Sequence, residues 1–143
     1  MIVARAPLRI SFVGGGTDLP DYYRHRAGRV VSTAIDKFVF ISVNRTTFID
    51  KVSARYSQVE TVDHPAELKH TRIRAALLEL GVHSNIEMAS FASLPASAGM
   101  GSSSTFSVAL LAALYAYLGR AFDARTLAEQ ACRLEIDLVG EKI

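Results

Sequence analysis

The sequence predicts an α+β fold, with a sheet built by the first half of the chain and helices by the second. Residues 2–62 carry β-branched and aromatic runs separated by Gly, Asp and Asn, which is typical of strands. From Ser102 onward, apolar residues recur at helical spacing. At 143 residues, of which 50% are hydrophobic and 21% charged, the chain is long enough to bury the core of one domain.

Strands are predicted where β-branched and aromatic residues cluster. In the first half of the chain these runs are RISFV, RVVSTAI and KFVFISVNR. One more run, SNIEMASFA, follows the first predicted helix.

The first helix is predicted from about Pro65 to Gly81, because apolar residues recur there at helical spacing and glycine favours a helix end. The second runs from Ser102 to Leu118 and is followed by Gly119. It holds the longest apolar run of the chain, which is shorter than the ~20 residues of a membrane-spanning helix.

The last predicted helix begins at Ala124, where Asp123 is placed to cap its first turn. Its apolar residues keep their spacing to Leu138, and no capping pattern marks a stop before Ile143. We therefore expect the chain to be the front portion of a longer protein.

The charges are scattered along the chain. Sixteen Lys and Arg residues stand against fourteen Asp and Glu residues, a net charge of +2, with no basic stripe or tail. A nucleic-acid or membrane partner is therefore not expected. Cys132 is the single cysteine, which excludes a disulfide framework, and MIVARAPLRISF lacks the apolar core of a signal peptide. We expect a cytoplasmic protein.

The stretch PASAGMGSSS lies between a predicted strand and a predicted helix. A helix start leaves backbone N–H groups without partners, and Gly99 and Gly101 would let a ligand approach them closely. A phosphate chain suits such a place. The alternative is a flexible loop in which Ser102 is an ordinary N-cap. Walker and dinucleotide-binding patterns are both absent.

This stretch resembles the phosphate-binding motif of the GHMP kinases, in which Pro and three residues precede Gly-Leu-Gly-Ser-Ser. Upstream, RAPLRISFVGGGTDLPDYY resembles the first motif of the same family, which ends in Gly-Glu-His-Thr-Asp. Two motifs in the right order are more specific than either alone. Within the family, the chain is most similar to the bacterial branch that phosphorylates D-glycero-D-manno-heptose 7-phosphate.

The resemblance implies a mixed or antiparallel sheet with helices on one side, as in the N-terminal lobe of these kinases. Residues 1–143 would be the ATP-binding lobe, with the second lobe and the general-base aspartate after Ile143. The parent protein would use ATP with Mg²⁺ to phosphorylate the anomeric hydroxyl of the heptose phosphate. ATP and a sugar phosphate are thus the expected partners, and a homodimer is left open.

The resemblance also implies roles for individual residues. Arg9 would be catalytic, by stabilising charge on the transferred phosphoryl group. Hydroxyls of Ser102 and Ser103, together with Glu141, would hold Mg²⁺. The residues that would bind the ATP phosphates are Pro95, Gly99, Met100, Gly101, Ser102, Ser103 and Ser104.

The acceptor sugar would bind at Gly14, Gly15, Gly16, Thr17 and Asp18. Glycines replace the Glu-His of galactokinases here, and their N–H groups could form a nest for the phosphate of the acceptor. Simpler interpretations remain open: a tight turn at the glycines, a helix cap at Asp18, and an Arg9 at a strand end that pairs with a surface carboxylate.

Three other functions remain open. One is a different GHMP sugar kinase, of the fucose or galactose type. Another is a protein of the same fold that binds ATP and sugar without turnover. The third is an inactive fragment.

Overall fold

A computed structural model describes residues 1–95 and 99–140 of the chain. The strands of its single five-stranded sheet are β1 (Ile2–Val13), β2 (Val31–Arg45), β3 (Val52–Arg55), β4 (Val59–Val62) and β5 (Ile86–Ala92). The helices are α1 (Pro20–Tyr23), α2 (Thr71–Leu80), α3 (Ser102–Tyr117) and α4 (Ala124–Arg133), which continues as a π-helical turn (Leu134–Val139). Short 3₁₀ turns span Gly15–Asp18 and Pro65–Glu67.

The sheet has the order β1-β2-β5-β3-β4. Of the described strands, only β3 and β5 pair in parallel, so the sheet is mixed and the predicted fold class is confirmed. The predicted runs RVVSTAI and KFVFISVNR form one strand, β2, instead of two. Asp36 does not end the strand, because it lies in a bulge where the register with β1 shifts between Pro7 and Arg9.

One face of the sheet carries the core. Alternate residues of the central strands are buried there, and α3 packs against β1 and β2 on that side. The buried residues of the strands are Ala6, Leu8, Val39, Ile41, Val43, Val52, Ala54, Ile86 and Met88. The helices thus lie on one side, as expected. None of the helices in the two described ranges has the length and apolar character needed to cross a bilayer.

Helix α2 begins at Thr71, later than the predicted start at Pro65. The 3₁₀ turn at Pro65–Glu67 is separate, and Leu68 after it is extended and fully buried. The Glu60 carboxylate accepts hydrogen bonds from the backbone N–H groups of Lys69 and His70, at 2.7 and 3.2 Å. These long-range bonds hold the link extended. Helix α2 ends at Gly81, with φ of 72°, as predicted.

The last helix starts as predicted, because the Asp123 carboxylate accepts a hydrogen bond of 2.7 Å from the Thr126 N–H. The expectation of no visible stop is wrong. The π-helical turn closes at Gly140, whose φ of 76° is left-handed, as glycine permits at a helix end.

Candidate functional site

The loop before α3 ends in two glycines with left-handed backbones. Gly99 and Gly101 both have φ of 68°, a conformation that other residues rarely adopt. Gly101 occupies the N-cap position and provides no side-chain cap, so the N–H groups of the first turn point out of the helix end. The alternative that made Ser102 the N-cap is therefore wrong, because Ser102 is already helical. Residues 96–98 of the predicted phosphate loop lie outside the described residues.

The hydroxyl of Ser102 finds no partner in the described part of the chain. Its Oγ is buried, and within residues 1–95 and 99–140 no group hydrogen-bonds to it. Buried polar atoms in folded proteins nearly always have a partner, so this oxygen is suited to a ligand oxygen or a cation. The neighbouring Ser103 is exposed and Ser104 is half-buried. Serine hydroxyls and free N–H groups thus meet at the end of α3, which carries positive dipole charge.

Strand β1 fixes the position of the glycine loop. The Arg9 N–H donates to the Met100 carbonyl at 3.2 Å, and the Thr105 hydroxyl donates to the Pro7 carbonyl at 3.3 Å. The Arg9 side chain lies across Gly101, where an added Cβ would come within 3.2 Å of its Cγ. The structure therefore brings Arg9, Gly101 and Ser102 together.

The guanidinium of Arg9 is exposed and donates to the Ser11 hydroxyl. Across residues 1–95 and 99–140, no carboxylate pairs with it. The alternative of a strand-end arginine with a surface carboxylate is thus wrong, because Arg9 lies inside β1.

Glu135 is a buried carboxylate that the sequence analysis missed. It is only 3% exposed, accepts a hydrogen bond of 2.7 Å from the Ser107 hydroxyl, and lies 3.5 Å from Nε of Arg72. Ser107 is one turn after Ser103 on α3, so this carboxylate approaches the same helix end. The sequence could have indicated this residue, because Glu135 borders the apolar face of the last helix. The predicted ligand Glu141 lies outside the described residues.

A cavity of about 480 Å³ opens beside the helix start. Pro95, Ser102 and Ser103 line one part of it, and aromatic rings line another. The His70 ring stacks on Phe106 at 5.0 Å between centroids. Tyr56 meets the same histidine edge-on at 4.7 Å. The volume of the cavity falls within the usual range of small-molecule sites. Its walls suit a ligand with a flat apolar part and an anionic part.

The aromatic wall is uncharged at neutral pH. Burial, and then the Arg72 charge, lower the pKa of His70. Its Nδ1 accepts a hydrogen bond of 3.4 Å from the Ile73 N–H, which leaves the proton on Nε2. The hydrogen bond from Tyr56 to Glu60 raises the pKa of Tyr56 to about 12. Burial opposes the ionised form of Glu60, but three hydrogen bonds to it outweigh burial and lower its pKa.

The glycine turn after β1 contains two kinds of glycine. Gly14 has φ of 99°, and a Cβ there would lie 2.0 Å from the Arg29 carbonyl oxygen, so that position requires glycine. Gly15 and Gly16 face open space, with nothing within 4 Å of an added Cβ. A left-handed residue followed by right-handed ones is the arrangement of an anion-binding nest.

Thr17 and Asp18 differ in their surroundings. The Thr17 hydroxyl accepts from the Arg29 N–H at 3.0 Å and lies 2.7 Å from the Gly14 carbonyl oxygen, so it holds the turn together. Asp18 is exposed, and the residue that caps α1 is Leu19, so the interpretation of Asp18 as a helix cap is wrong. In the described part of the chain, this turn makes no hydrogen bond to the glycine loop at α3.

Comparison with known proteins was made for sequence and fold. The sequence model described as the N-terminal domain of GHMP kinases matches residues 67–142, more than half of the chain. No curated protein sequence matches.

Many solved structures share the fold. A D-glycero-D-manno-heptose 1-phosphate kinase from Bacteriodes thetaiotaomicron is 17% identical with a TM-score of 0.84, over 98% of this chain and 49% of that one. A putative sugar kinase from Campylobacter jejuni is 18% identical with a TM-score of 0.77, over 97% and 46%. Lactococcus lactis galactokinase is 17% identical with a TM-score of 0.78, over 99% and 39%.

At these identities the structural likeness shows a shared fold alone, and this chain spans about half the length of those structures or less. The family match, in contrast, is a match of sequence. It covers the residues from Glu67 to Lys142, which include the glycine loop and α3. The predicted resemblance is therefore confirmed, and the chain belongs to the GHMP kinase family, whose N-terminal domain it contains.

Proposed function

We propose that this chain is the nucleotide-binding lobe of a kinase that transfers the γ-phosphoryl group of ATP to a sugar hydroxyl. The observation that supports this most is the buried Ser102 hydroxyl, which has no partner among the described residues, at an uncapped helix start beside a cavity of about 480 Å³. Family membership supports the reaction class. The phosphates of ATP would bind the loop from Gly99 to Ser104, and the adenosine would enter the cavity against His70 and Phe106.

Magnesium would bind between the helix start and the buried carboxylate. Oxygen donors suit Mg²⁺, and the hydroxyls of Ser102 and Ser103 and the carboxylate of Glu135 are the oxygens that approach this helix end. When bound, Mg²⁺ neutralises phosphate charge during transfer. We propose Glu135 as the carboxylate ligand on the ground of this geometry, and the role of Glu141 stays a prediction.

Arg9 would act on the transferred group. Its side chain crosses Gly101, so its guanidinium can reach a phosphate held at the helix start and stabilise the charge that develops there. The acceptor would bind at the turn of Gly14, Gly15, Gly16, Thr17 and Asp18. Gly15 and Gly16 leave open space for it, and the nest geometry suits an acceptor phosphate. We propose D-glycero-D-manno-heptose 7-phosphate, phosphorylated on its anomeric hydroxyl.

A second lobe would supply the general base. Exposed apolar side chains concentrate in the ribbon that β1 and β2 form beyond the core, among them Phe12, Val13 and Val31, which are 58–69% exposed. Surfaces of this kind are usually covered by another domain or chain. The structural neighbours are about twice as long as this chain. We therefore propose that a second lobe packs there, and a homodimer is the alternative occupant.

The proposal is tested by titrating the chain with Mg²⁺·ADP, followed by calorimetry. We expect saturable binding that weakens about tenfold or more in Ser102→Ala, since a hydrogen bond to a charged group contributes about 1.5–3 kcal/mol. Thr47→Ala, which removes a hydroxyl from an exposed loop that does not line the cavity, is the matched control. Absence of binding at millimolar nucleotide would contradict the proposal.

The substrate is tested with the full-length parent protein. The panel contains heptose 7-phosphate, heptose 1-phosphate, galactose and fucose, and the assay measures ATP consumption. Turnover of heptose 7-phosphate alone is the expected result. Turnover of another sugar would keep the reaction class and overturn the assigned acceptor.

A further inference from the structure

Arg72 lies between two parts of the proposed site. It is the second residue of α2, and its Nε lies 3.5 Å from Oε1 of Glu135. The same side chain lines the cavity together with Ser102 and Ser103 of the phosphate loop. One guanidinium therefore faces both a buried carboxylate and the space proposed for the nucleotide.

The carboxylate of Glu135 needs a cation. Its side chain is 4% exposed, the Ser107 hydroxyl is a neutral donor, and among the described residues the cation beside it is Arg72. A buried charge without a counterion costs several kcal/mol, which keeps this pair together. Glu135 lies in the π-helical turn, a distortion that occurs frequently at functional sites.

A metal dication and a guanidinium compete for such a carboxylate. Like charges a few ångströms apart repel each other strongly where water is excluded, so both cations cannot share Glu135 at low cost. Nucleotide phosphates in the cavity offer the guanidinium a new anionic partner. Arginine suits that partner, because its planar donors match phosphate oxygens.

We propose that Arg72 is a positioning residue that neutralises Glu135 while the cavity holds no nucleotide and releases it to Mg²⁺ when phosphates bind the guanidinium. This rests on the proposed function. Metal and nucleotide then bind cooperatively. Phosphates that bind Arg72 free Glu135 for the metal, and a metal that binds Glu135 frees Arg72 for the phosphates. Mg²⁺ alone binds the wild-type chain weakly, since it must first displace Arg72.

The test measures Tm in MgCl₂ and in NaCl of equal ionic strength, without nucleotide. Arg72→Met leaves Glu135 without its counterion, so Mg²⁺ raises its Tm by roughly 3–6 °C at about ten times the Kd. The wild type and Arg74→Met show little change. Arg74 is the matched control, since it lies on the same helix and donates to the Leu68 carbonyl at 2.9 Å. Arg72→Met/Glu135→Gln, without the carboxylate, does not respond.

Equal Mg²⁺ responses in the wild type and Arg72→Met would overturn the proposal, as would a response that persists in the double variant. If Arg72→Met folds only in Mg²⁺, that result supports the proposal. If it does not fold at all, ADP binding in EDTA decides. Glu135→Gln then binds Mg²⁺-free ADP at least tenfold more tightly than the wild type, because Arg72 no longer has to leave a carboxylate. Unchanged affinity overturns the proposal.

The two proposals fail in different ways. A wild type that does not bind Mg²⁺·ADP contradicts the proposed function. A wild type that binds Mg²⁺·ADP but shows the same Mg²⁺ response as Arg72→Met contradicts the role of Arg72 alone.

Discussion

Replacing Gly101 with alanine separates backbone strain from a specific contact at the glycine loop. Gly101 has φ of 68°, and an added Cβ would lie 3.2 Å from Cγ and 3.3 Å from Nε of Arg9. Gly119, at the other end of α3, has nearly the same φ of 67° but nothing within 4 Å of an added Cβ. The two positions therefore share the left-handed strain and differ in the contact.

The expected loss of stability follows from this comparison. Alanine in the left-handed region costs about 1–2 kcal/mol, so Gly119→Ala should lose about that much stability in urea unfolding. Gly101→Ala should lose the same or slightly more, because the flexible Arg9 side chain can shift by a few tenths of an ångström.

Nucleotide binding should distinguish the variants. Gly101→Ala displaces Arg9 and fills space next to the helix N–H groups, so we expect its affinity for Mg²⁺·ADP to fall at least tenfold, about 1.4 kcal/mol. Gly119→Ala should bind as the wild type does. Calorimetric titration of the three proteins is the assay. If Gly101→Ala binds with unchanged affinity while still folded, the placement of the phosphates at this helix start is refuted.

Two further predictions concern the buried groups around the cavity. Because the pKa of His70 is lowered in the fold by burial and by Arg72, its contribution to stability is present above about pH 6.5 and is lost as pH falls through the folded pKa. The Tyr56 ring meets the imidazole edge-on, and the charge of Glu60 acts in the opposite direction to Arg72. Urea midpoints at pH 7.5 and 5.5 should drop less in His70→Asn than in the wild type, and equal drops would contradict the assignment. Ser107→Ala removes the donor to Glu135 and should destabilise the chain by about 1–3 kcal/mol in urea unfolding; a loss no larger than that of the exposed Ser57→Ala would show that the hydrogen bond contributes little.

Local features of the fold could be predicted from the sequence. The glycine loop, the start of α3 at Ser102, the end of α2 at Gly81 and the cap at Asp123 depend on residues within one turn of each other. Backbone preference and capping act between residues that close together, so the local sequence is enough to predict where these helices begin and end. The same holds for the motifs that identified the family.

Other features depend on residues far apart in the chain. The start of α2 is set by Glu60, which binds N–H groups nine and ten residues away. Glu135 meets Ser107 across 28 positions, and its place at the border of the apolar face of the last helix does not by itself show that it is buried. The bulge that keeps β2 continuous around Asp36 depends on its pairing with β1. Sequence reasoning misplaced or missed all three for this reason.

The sequence by itself determined that glycines precede a helix and that the chain carries the motifs of a phosphotransferase family. Only the tertiary structure decided that the Arg9 side chain lies across Gly101 and that Arg72 pairs with Glu135. It also decided that His70 and Phe106 form the wall of a cavity. The physical reason is the distance along the chain between the residues that interact. Backbone conformation is set mainly by neighbouring residues, whereas burial and charge pairing depend on which distant segments the packed core brings together.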